Sequence, residues 1–429
     1  MKERIAIIEG VRTPMDKAGG KLRDISADDL AVYAVKEVLI RSGIDREEID
    51  EVILGNVVQP VNATNIARVI ALKAGLPLHV PAFTVHRNCA SGMEAITSAA
   101  NRIIAGEAKI IIAGGTESMS NIPLIYNKKM MKFYNGLSKA KRFFDKVKIL
   151  LTFRPSFLKP DVALTLALTD PISGLIMGLS AELLAREFHI TRQKQDEYAL
   201  MSHQRASAAK KAGLFEEEIV PVPIPPSFEE IVIEDRGPRE NQKMEDLEKL
   251  SPSFDHLNGT VTAGNSCPIS DGAAAVVLMS EKLAKKRGVK PLGYLTDYAY
   301  AALEPERKGL GPVYATAKLQ KKTGIAMKDI ELIEMNESFA AQVIANEIAF
   351  ASAEFAKEHL NMDRPIGEID RGRMNVNGGA IALGHPVGMT GTRLVIHLLR
   401  ELRRRKKNTG LATLCVGGGQ GVALLLEVE

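Results

Sequence analysis

The sequence contains the stretch Ala34-Val35-Lys36-Glu37-Val38-Leu39-Ile40-Arg41-Ser42-Gly43-Ile44, and a similar stretch recurs as Ala315-Thr316-Ala317-Lys318-Leu319-Gln320-Lys321-Lys322-Thr323-Gly324-Ile325. Each copy has the spacing of an amphipathic helix and reaches a glycine, the residue that most often ends a helix. Each is followed by a short turn and an apolar strand, at 52–54 and 332–334. Because helix, turn and strand recur in the same order at one offset, the sequence predicts a duplicated βα unit.

A second parallel extends the duplication. A helical pattern at 95–105 leads to an apolar strand at 109–115, and a helical pattern at 391–403 leads to a strand at 411–417. In the second half a glycine turn returns the chain at once as strand 422–426, whereas the matching strand of the first half, 273–278, comes about 155 residues later. The pattern therefore predicts two packed, pseudo-symmetric α/β halves, with a large insertion in the first.

Composition excludes several classes of protein. The 429 residues are 45% apolar and 25% charged, which is ordinary for a folded chain. The 56 Lys and Arg against 52 Asp and Glu give a net charge of +4, too even to indicate nucleic-acid binding. Three cysteines are too few and too scattered for a disulfide framework or a zinc site, which favours a reducing compartment. The charged residues 1–9 predict a first strand rather than a signal peptide, and glycines interrupt the apolar stretch 411–428, so no membrane span is expected.

Two segments carry candidate reactive side chains. Cys89 precedes small residues and then a helical pattern, so it is expected at a helix N-terminus, where the helix dipole would lower the pKa of its thiol. His385 lies in the glycine-rich segment 377–388, where tight turns would fix its imidazole as a base for Cys89. On their own, the two residues could equally be a buried structural thiol and a loop histidine.

Two further candidates lie at strand ends. Cys415 ends an apolar strand, and Gly417 follows it with a backbone amide that no side chain would block from a ligand. Asn336 follows the repeated strand and opens a new helix, a position in which it could face a site or simply cap the helix.

Four motifs of this sequence resemble the active-site motifs of the thiolase family, in the family's order. They are Asn88-Cys89-Ala90-Ser91-Gly92, Asn336-Glu337-Ser338-Phe339-Ala340, Gly384-His385-Pro386 and Cys415-Val416-Gly417-Gly418-Gly419-Gln420-Gly421. The resemblance covers essentially the whole chain. It implies two βαβαβαββ halves in a five-layered αβαβα arrangement with an inserted loop domain. The expected division is an N-terminal core of residues 1–120 and 261–290, a loop domain of 121–260 and a C-terminal core of 291–429.

The resemblance also implies a reaction and a role for each motif residue. The reaction would be thiolysis of 3-ketoacyl-CoA by coenzyme A, with Cys89 as the acylated nucleophile and no metal or redox cofactor. His385 would activate Cys89 and, with a water held by Asn336, stabilise the thioester oxygen of the departing acetyl-CoA. Cys415 would act as the acid and base at the acetyl carbanion. The amides of Cys89 and Gly417 would form the oxyanion hole for the acyl group.

Some expected contacts and departures from the family pattern concern the substrate. By resemblance, Arg239 and Ser266 would lie near coenzyme A and Met177 could line the acyl pocket; alternatively, the first two are a surface arginine and a turn serine. Met389-Thr390 replaces the usual Ala-Ser after the histidine motif, and Cys267 is expected to be a bystander. The subgroup with the most similar insertion, from fatty-acid β-oxidation trifunctional complexes, usually has histidine where this chain has Asn336.

The insertion is basic near its start. Residues 126–160 contain ten Lys or Arg and a single acidic residue, Asp145. Apolar residues recur there at helical spacing, which predicts a basic amphipathic helix. It could pack on its own core, bind an anionic membrane surface or dock a partner such as a hydratase/dehydrogenase subunit. We expect a cytoplasmic homodimer or homotetramer, with peripheral membrane contact left open.

Two other functions remain alternatives to the degradative 3-ketoacyl-CoA thiolase. One is a biosynthetic thiolase that forms acetoacetyl-CoA, which would act on C4 substrates alone. The other, from a different class, is an inactive thiolase-like protein that only binds lipids or acyl-CoA. Retention of all four motifs argues against the inactive protein, since a binding protein has no use for two opposed cysteines.

Overall fold

The duplication predicted from the sequence is present in the fold. The computed structural model describes residues 3–429. Helix Ala27–Ser42, the turn Arg46–Glu48 and the strand starting at Glu51 recur as Gly311–Thr323, Met327–Asp329 and the strand starting at Leu332. Gly43 and Gly324 both end their helices in the left-handed conformation, with φ of 65° and 77°. Glycine adopts this conformation without a Cβ penalty, which is why both copies use it.

A ten-stranded sheet forms the framework. Its central strands are buried along nearly their whole length because helices cover both faces, so they lack a polar alternation. The ten strands are Ile5–Arg12, Asp16–Lys17, Glu51–Gly55, Ala82–Val85, Ile110–Ser118, Ser270–Ser280, Gly293–Ala302, Leu332–Met335, Thr409–Val416 and Gln420–Glu427.

The two halves of the sheet have the same strand order. In the first half, the strands starting at Glu51, Ile110, Ser270 and Ile5 are neighbours in that order; in the second half the order is Leu332, Thr409, Gln420 and Gly293. In the first half, Glu51–Gly55 pairs parallel with both Ala82–Val85 and Ile110–Ser118. In the second half, Leu332–Met335 pairs parallel with Thr409–Val416, and the other pairs among these strands are antiparallel. The halves join where Ile5–Arg12 pairs antiparallel with Gly293–Ala302.

Three apolar clusters show how the helices cover this sheet. One cluster lies between the halves and contains helices Ser91–Ile104 and Thr390–Arg404; the other two cover the outer faces, with Ala27–Ser42 on one side and Gly311–Thr323 on the other. The resulting order is helix, sheet, helix, sheet, helix, the five-layered arrangement expected from the resemblance. The two middle helices start beside the motif cysteine and the motif histidine, so this layer positions the site.

The insertion lies between two strands that are neighbours in the sheet, Ile110–Ser118 and Ser270–Ser280. The prediction of one continuous basic helix within it is wrong, because two helices are present, Lys128–Lys139 and Phe143–Leu150. The backbone of Ala140 is extended between them, and Phe133 packs against the rings of Phe153 and Phe157 beyond the second helix. Packing of the two helices against each other thus overrides the continuous periodicity. The domain boundaries given above remain a prediction.

The remaining elements are helices, 3-10 turns and two small sheets outside the ten-stranded sheet. Within residues 3–429, no helix has both the length and the apolar character that a membrane crossing would need. The remaining α-helices are Ile66–Lys73, Ala163–Ala167, Met177–Glu187, Arg192–Lys211, Met244–Glu248, Glu281–Arg287, Ala340–Ala351, Ala353–Leu360 and Ala380–Leu383; the remaining 3-10 turns are Met119–Asn121, Pro155–Leu158 and Pro305–Leu310; and two small sheets pair Leu124–Ile125 with Asp161–Val162 and Val222–Pro223 with Ile231–Val232.

Candidate active site

Cys89 lies where the sequence predicts it, just before helix Ser91–Ile104. The tight turn into the helix places Asn88 at φ 44°, and the Ser91 hydroxyl donates to the Asn88 carbonyl at 2.7 Å. Close approach of the two middle helices fixes this turn: a Cβ on Gly92 would lie 2.6 Å from the hydroxyl oxygen of Thr392. Cys89 is therefore held at the seam between the two halves of the chain.

The expectation of a lowered thiol pKa at Cys89 is wrong. The pKa of the Cys89 thiol is raised to about 12, first by burial and then by the neighbouring Cys415, against smaller lowering effects from the amides of Gly417 and Cys89 and from Lys308. Desolvation disfavours the charged form more strongly than the helix terminus favours it. Cys89 is thus a neutral thiol at rest and needs a base to become a nucleophile.

His385 has the properties of that base. Its Nδ1 lies 2.7 Å from the Thr390 hydroxyl oxygen, and that hydroxyl donates its own proton to the Pro386 carbonyl at 2.8 Å. The hydroxyl can therefore only accept from His385, so the ring proton sits on Nδ1. Nε2 is buried and has no hydrogen-bond partner among the described residues, which leaves its lone pair available. Burial and the nearby Arg393 lower the pKa of His385 to about 4, so the imidazole is neutral at neutral pH.

Cys415 and Asn336 meet because their strands are parallel neighbours whose carboxyl ends lie at one edge of the sheet. Ser338 links them. Its hydroxyl oxygen accepts a hydrogen bond from Asn336 Nδ2 at 3.0 Å and lies 3.5 Å from the Cys415 sulfur. Burial raises the pKa of the Cys415 thiol, and the contact with Ser338 and the charge of Lys308 oppose that shift. Asn336 Oδ1 is buried without a partner in the part of the chain that the structure describes.

Two hydrogen bonds connect the Cys89 turn to the turn after Cys415. Asn88 Nδ2 donates to the Gly417 carbonyl at 2.9 Å, and Arg87 Nη1 donates to Gln420 Oε1 at 3.1 Å. The N–H groups of Gly417 and Cys89 both act on the Cys89 sulfur and lower its pKa. Backbone N–H groups that act on one atom are the kind of donor that can stabilise a developing negative charge.

The segment around Cys267 connects the histidine to the thiols. The Cys267 amide donates to the Ser338 carbonyl at 3.1 Å, and Ile269 pairs with His385 in a short parallel bridge. Burial raises the pKa of Cys267, and the charges of Cys89 and Cys415 raise it further. All three cysteines thus lie in one neighbourhood, which their sequence spacing did not indicate.

The predicted substrate contacts are placed less decisively. Arg239 is exposed, and its guanidinium donates to Gln242 Oε1 at 3.3 Å. The Ser266 hydroxyl donates to the Thr262 carbonyl at 2.6 Å within its own turn. Met177 is half-buried at the start of helix Met177–Glu187. The roles of these three residues toward coenzyme A and the acyl chain stay predictions.

Sequence reasoning missed several residues that support the site. Glu337 is a buried carboxylate that accepts hydrogen bonds from Tyr198, Ser202, Asn375 and the Ile381 amide. The bond from Ile381 holds the chain segment that leads to His385. Glu117 accepts from Asn56 and from the amides of Val57, Val58 and Gly388. The sequence could have indicated Thr390, because its hydroxyl lies five residues after the histidine. Nothing in the sequence indicated Lys308.

Two thiols, a neutral imidazole and nearby backbone amides are the groups that a cysteine-dependent acyl transfer would use. Residues 5–282 match the family model for the thiolase N-terminal domain, and residues 289–428 match the model for the thiolase C-terminal domain. The chain belongs to the thiolase family.

Individual relatives cover the full length. A 3-ketoacyl-CoA thiolase of Yersinia enterocolitica is 42% identical over 428 residues, which is 100% of this chain and 97% of that protein. A crystal structure of the Bacillus anthracis acetyl-CoA acetyltransferase is similar with a TM-score of 0.87 and 37% identity, covering 100% of this chain and 99% of that one. A crystal structure of human mitochondrial 3-ketoacyl-CoA thiolase in complex with CoA has a TM-score of 0.85 and 35% identity, covering 100% and 98%.

Proposed function

We propose that this protein is a 3-ketoacyl-CoA thiolase, an acetyl-CoA C-acyltransferase that cleaves 3-ketoacyl-CoA with coenzyme A into acetyl-CoA and an acyl-CoA two carbons shorter. The observation that carries the proposal is a pair of neighbouring thiols, the half-buried Cys89 and the buried Cys415, together with a neutral His385 whose Nε2 has no partner among the described residues. Cleavage of a carbon–carbon bond needs both a nucleophile and an acid for the carbanion that leaves, and two thiols supply both roles.

In the first half-reaction, His385 Nε2 takes the Cys89 proton as the sulfur attacks the 3-keto carbon. The oxygen of that carbon becomes negative and lies between the amides of Cys89 and Gly417. The bond between C2 and C3 then breaks, and Cys415 gives its proton to the acetyl-CoA carbanion. Asn336 Oδ1, buried and without a protein partner in the described chain, is suited to hold the water that faces the acetyl thioester oxygen.

In the second half-reaction, the thiol of coenzyme A gives its proton to the Cys415 thiolate and attacks the acyl group on Cys89. The new thioester leaves as the shortened acyl-CoA, and the Cys89 sulfur recovers its proton from His385. Atoms and charges balance, because each thiol ends the cycle protonated. A covalent intermediate formed before the second substrate reacts gives ping-pong kinetics.

The test uses intact mass spectrometry after incubation with a 3-ketoacyl-CoA, with Cys267→Ala as the matched control for loss of a buried thiol in the same neighbourhood. The wild type and Cys267→Ala should gain the acyl group, and Cys89→Ala should not. Cys415→Ala should accept an acyl group from a saturated acyl-CoA but lose carbon–carbon cleavage. Acylation of a cysteine other than Cys89 would overturn the assignment of the nucleophile, and no acylation at all would favour an acyl-CoA-binding protein.

A biosynthetic, acetoacetyl-CoA-forming thiolase is the second candidate, and the similarity to a bacterial acetyl-CoA acetyltransferase favours keeping it. Comparing thiolysis rates on C4 and C16 3-ketoacyl-CoAs separates the two. Activity confined to C4 would replace the degradative assignment. Activity that extends to C16 would support it and would place the enzyme in fatty-acid β-oxidation.

We further propose that the helical hairpin 128–150 docks on an anionic lipid surface. Phe143, Phe144 and Leu151 are 74%, 83% and 75% exposed amid the ten basic residues of 126–160. Exposed rings flanked by Lys and Arg are typical of an interfacial segment.

Phe143→Ser with Phe144→Ser should abolish co-sedimentation with phosphatidylserine vesicles, whereas Leu257→Ser, at another apolar residue that is 90% exposed, should not. Failure of the wild type to bind these vesicles would overturn the lipid proposal, and capture of a hydratase/dehydrogenase subunit in its place would identify a protein partner.

A further inference from the structure

Lys308 is a buried lysine whose charge the fold leaves unpaired. Its residue is 6% exposed, and its Nζ has no hydrogen-bond partner and no ion pair within residues 3–429. Burying an ammonium group without a partner is strongly unfavourable. A negative charge that forms nearby during function would compensate it.

Its backbone is fixed against the turn that follows Cys415. Lys308 lies in the 3-10 segment Pro305–Leu310, and the Leu303 amide just before it donates to the Gly419 carbonyl at 2.8 Å. No side chain fits between the two segments, since a Cβ on Gly419 would lie 2.2 Å from the Leu303 carbonyl oxygen. The segment that carries Lys308 and the turn that carries Gly417 are therefore in close backbone contact.

The charges that act on Lys308 belong to the site. Burial lowers the pKa of Lys308, and Cys415, Cys89 and Asp170 act in the opposite direction. In turn, Lys308 lowers the pKa of both thiols. Asp170 is itself occupied, because its Oδ1 accepts from the amides of Ile172 and Ser173 at 3.0 and 2.9 Å.

Charged groups on the elements packed around Pro305–Leu310 have partners of their own. Each of them forms a hydrogen bond or an ion pair with a group other than Lys308. These contacts are Glu182 with the Thr260 and Val261 amides, Arg186 with Asp255, Glu187 with Arg307, Glu347 with Arg371, Lys318 with the Tyr300 carbonyl, Lys321 with the Leu360 carbonyl, Lys322 with Asp297 and Glu427 with Arg4.

We propose that Lys308 is a positioning cation of the active site, whose ammonium group stabilises the thiolates of Cys89 and Cys415 as each forms. The proposal rests on the proposed function, since both thiolates arise in the thiolase cycle. In the first half-reaction, Cys415 becomes a thiolate when its proton passes to the acetyl carbanion, and it remains one until coenzyme A reprotonates it. Lys308 keeps its proton throughout and acts only through its charge.

The experiment measures alkylation of the thiols by iodoacetamide between pH 6 and 10, with the modified peptides assigned by mass spectrometry. Lys308→Met keeps the length of the side chain and removes its charge, and Lys308→Arg restores the charge. Arg307→Met is the matched control, because it removes the adjacent cation, which pairs with Glu187 instead of the site. We expect Lys308→Met to slow alkylation of Cys89 and Cys415 about tenfold at a given pH, since a nearby charge shifts a pKa by about one unit or more.

Lys308→Arg and Arg307→Met should keep the wild-type alkylation profile. Thiolysis by Lys308→Met should lose about tenfold in kcat with KM little changed, in line with the same charge effect. Unchanged alkylation in Lys308→Met would overturn the proposal, as would an equal loss in Lys308→Arg or a loss confined to KM, which would indicate substrate recognition. Alkylation needs no substrate. If Lys308→Met slows alkylation but the protein has no thiolase activity, the proposed function is contradicted and the role of Lys308 is not.

Discussion

Replacing Thr390 by valine tests whether the ring proton of His385 is where the hydrogen bonds place it. The Thr390 hydroxyl accepts from His385 Nδ1 at 2.7 Å and donates to the Pro386 carbonyl at 2.8 Å. Valine has the same shape but neither bond, so the tautomer with a free Nε2 loses its stabilisation. A buried hydrogen bond is worth about 1–2 kcal/mol including the cost of an orphaned donor, which corresponds to roughly five- to thirtyfold in the tautomer ratio.

Thr390→Val should therefore lower kcat for thiolysis by about tenfold while KM changes little, because substrate binding does not involve the ring proton. Thr390→Ser keeps the hydroxyl and serves as the control, with kcat within about threefold of wild type. The ¹⁵N chemical shifts of His385 report the tautomer directly, and thermal melting checks that both variants fold. A wild-type kcat in folded Thr390→Val, or an Nε2-protonated ring in the wild type, would refute the assignment.

Three further predictions follow from contacts around the site. Glu117→Gln should lower the free energy of unfolding by about 2–4 kcal/mol in denaturant titration, because glutamine can accept only part of the four N–H donors that the carboxylate accepts. Gly92→Ala should cost about 1–3 kcal/mol and slow acylation of Cys89, since its Cβ would overlap Thr392; unchanged stability would contradict the helix contact. Single-turnover acylation should stay constant from neutral pH down to about 5 and fall through pH 4 as His385 protonates, because only the neutral ring accepts the thiol proton; a limb near pH 6.5 in folded protein would contradict the lowered pKa of His385.

The duplication could be predicted because it is local and repeated. Helix, glycine cap, turn and strand recur at one offset, and both caps are left-handed glycines in the structure. The tight hairpin after Cys415 could be predicted for the same reason, since five residues rich in glycine between two apolar runs leave no other connection. The contact between the Cys89 turn and the turn of Gly417 could be predicted only from the resemblance, because no periodicity of the sequence places these two segments together.

Electrostatics of the site could not be predicted from local sequence. The helix terminus before Ser91 is real, yet burial dominates and raises the pKa of the Cys89 thiol to about 12. Whether a thiol is desolvated depends on the other half of the chain closing over it, which is a property of the fold. For the same reason the sequence does not distinguish Lys308 from its neighbour Arg307, and only packing shows that Lys308 is buried and that Arg307 pairs with Glu187.

Repulsion between the thiolates of Cys89 and Cys415 determines the order in which the two thiols lose their protons. The charge of Cys415 raises the pKa of Cys89, so ionising one sulfur opposes ionisation of the other. A site with two resident thiolates would hold two like charges in a buried pocket. In the proposed mechanism, two neutral thiols instead ionise one at a time: Cys89 loses its proton to His385 as it attacks, and Cys415 becomes anionic only after Cys89 is a neutral thioester. In the Cys415→Ala variant, Cys89 should therefore alkylate at a lower pH than in the wild type, because no second thiolate opposes its ionisation. An unchanged or higher alkylation pH for Cys89 in that variant would mean that the two sulfurs do not share one electrostatic environment.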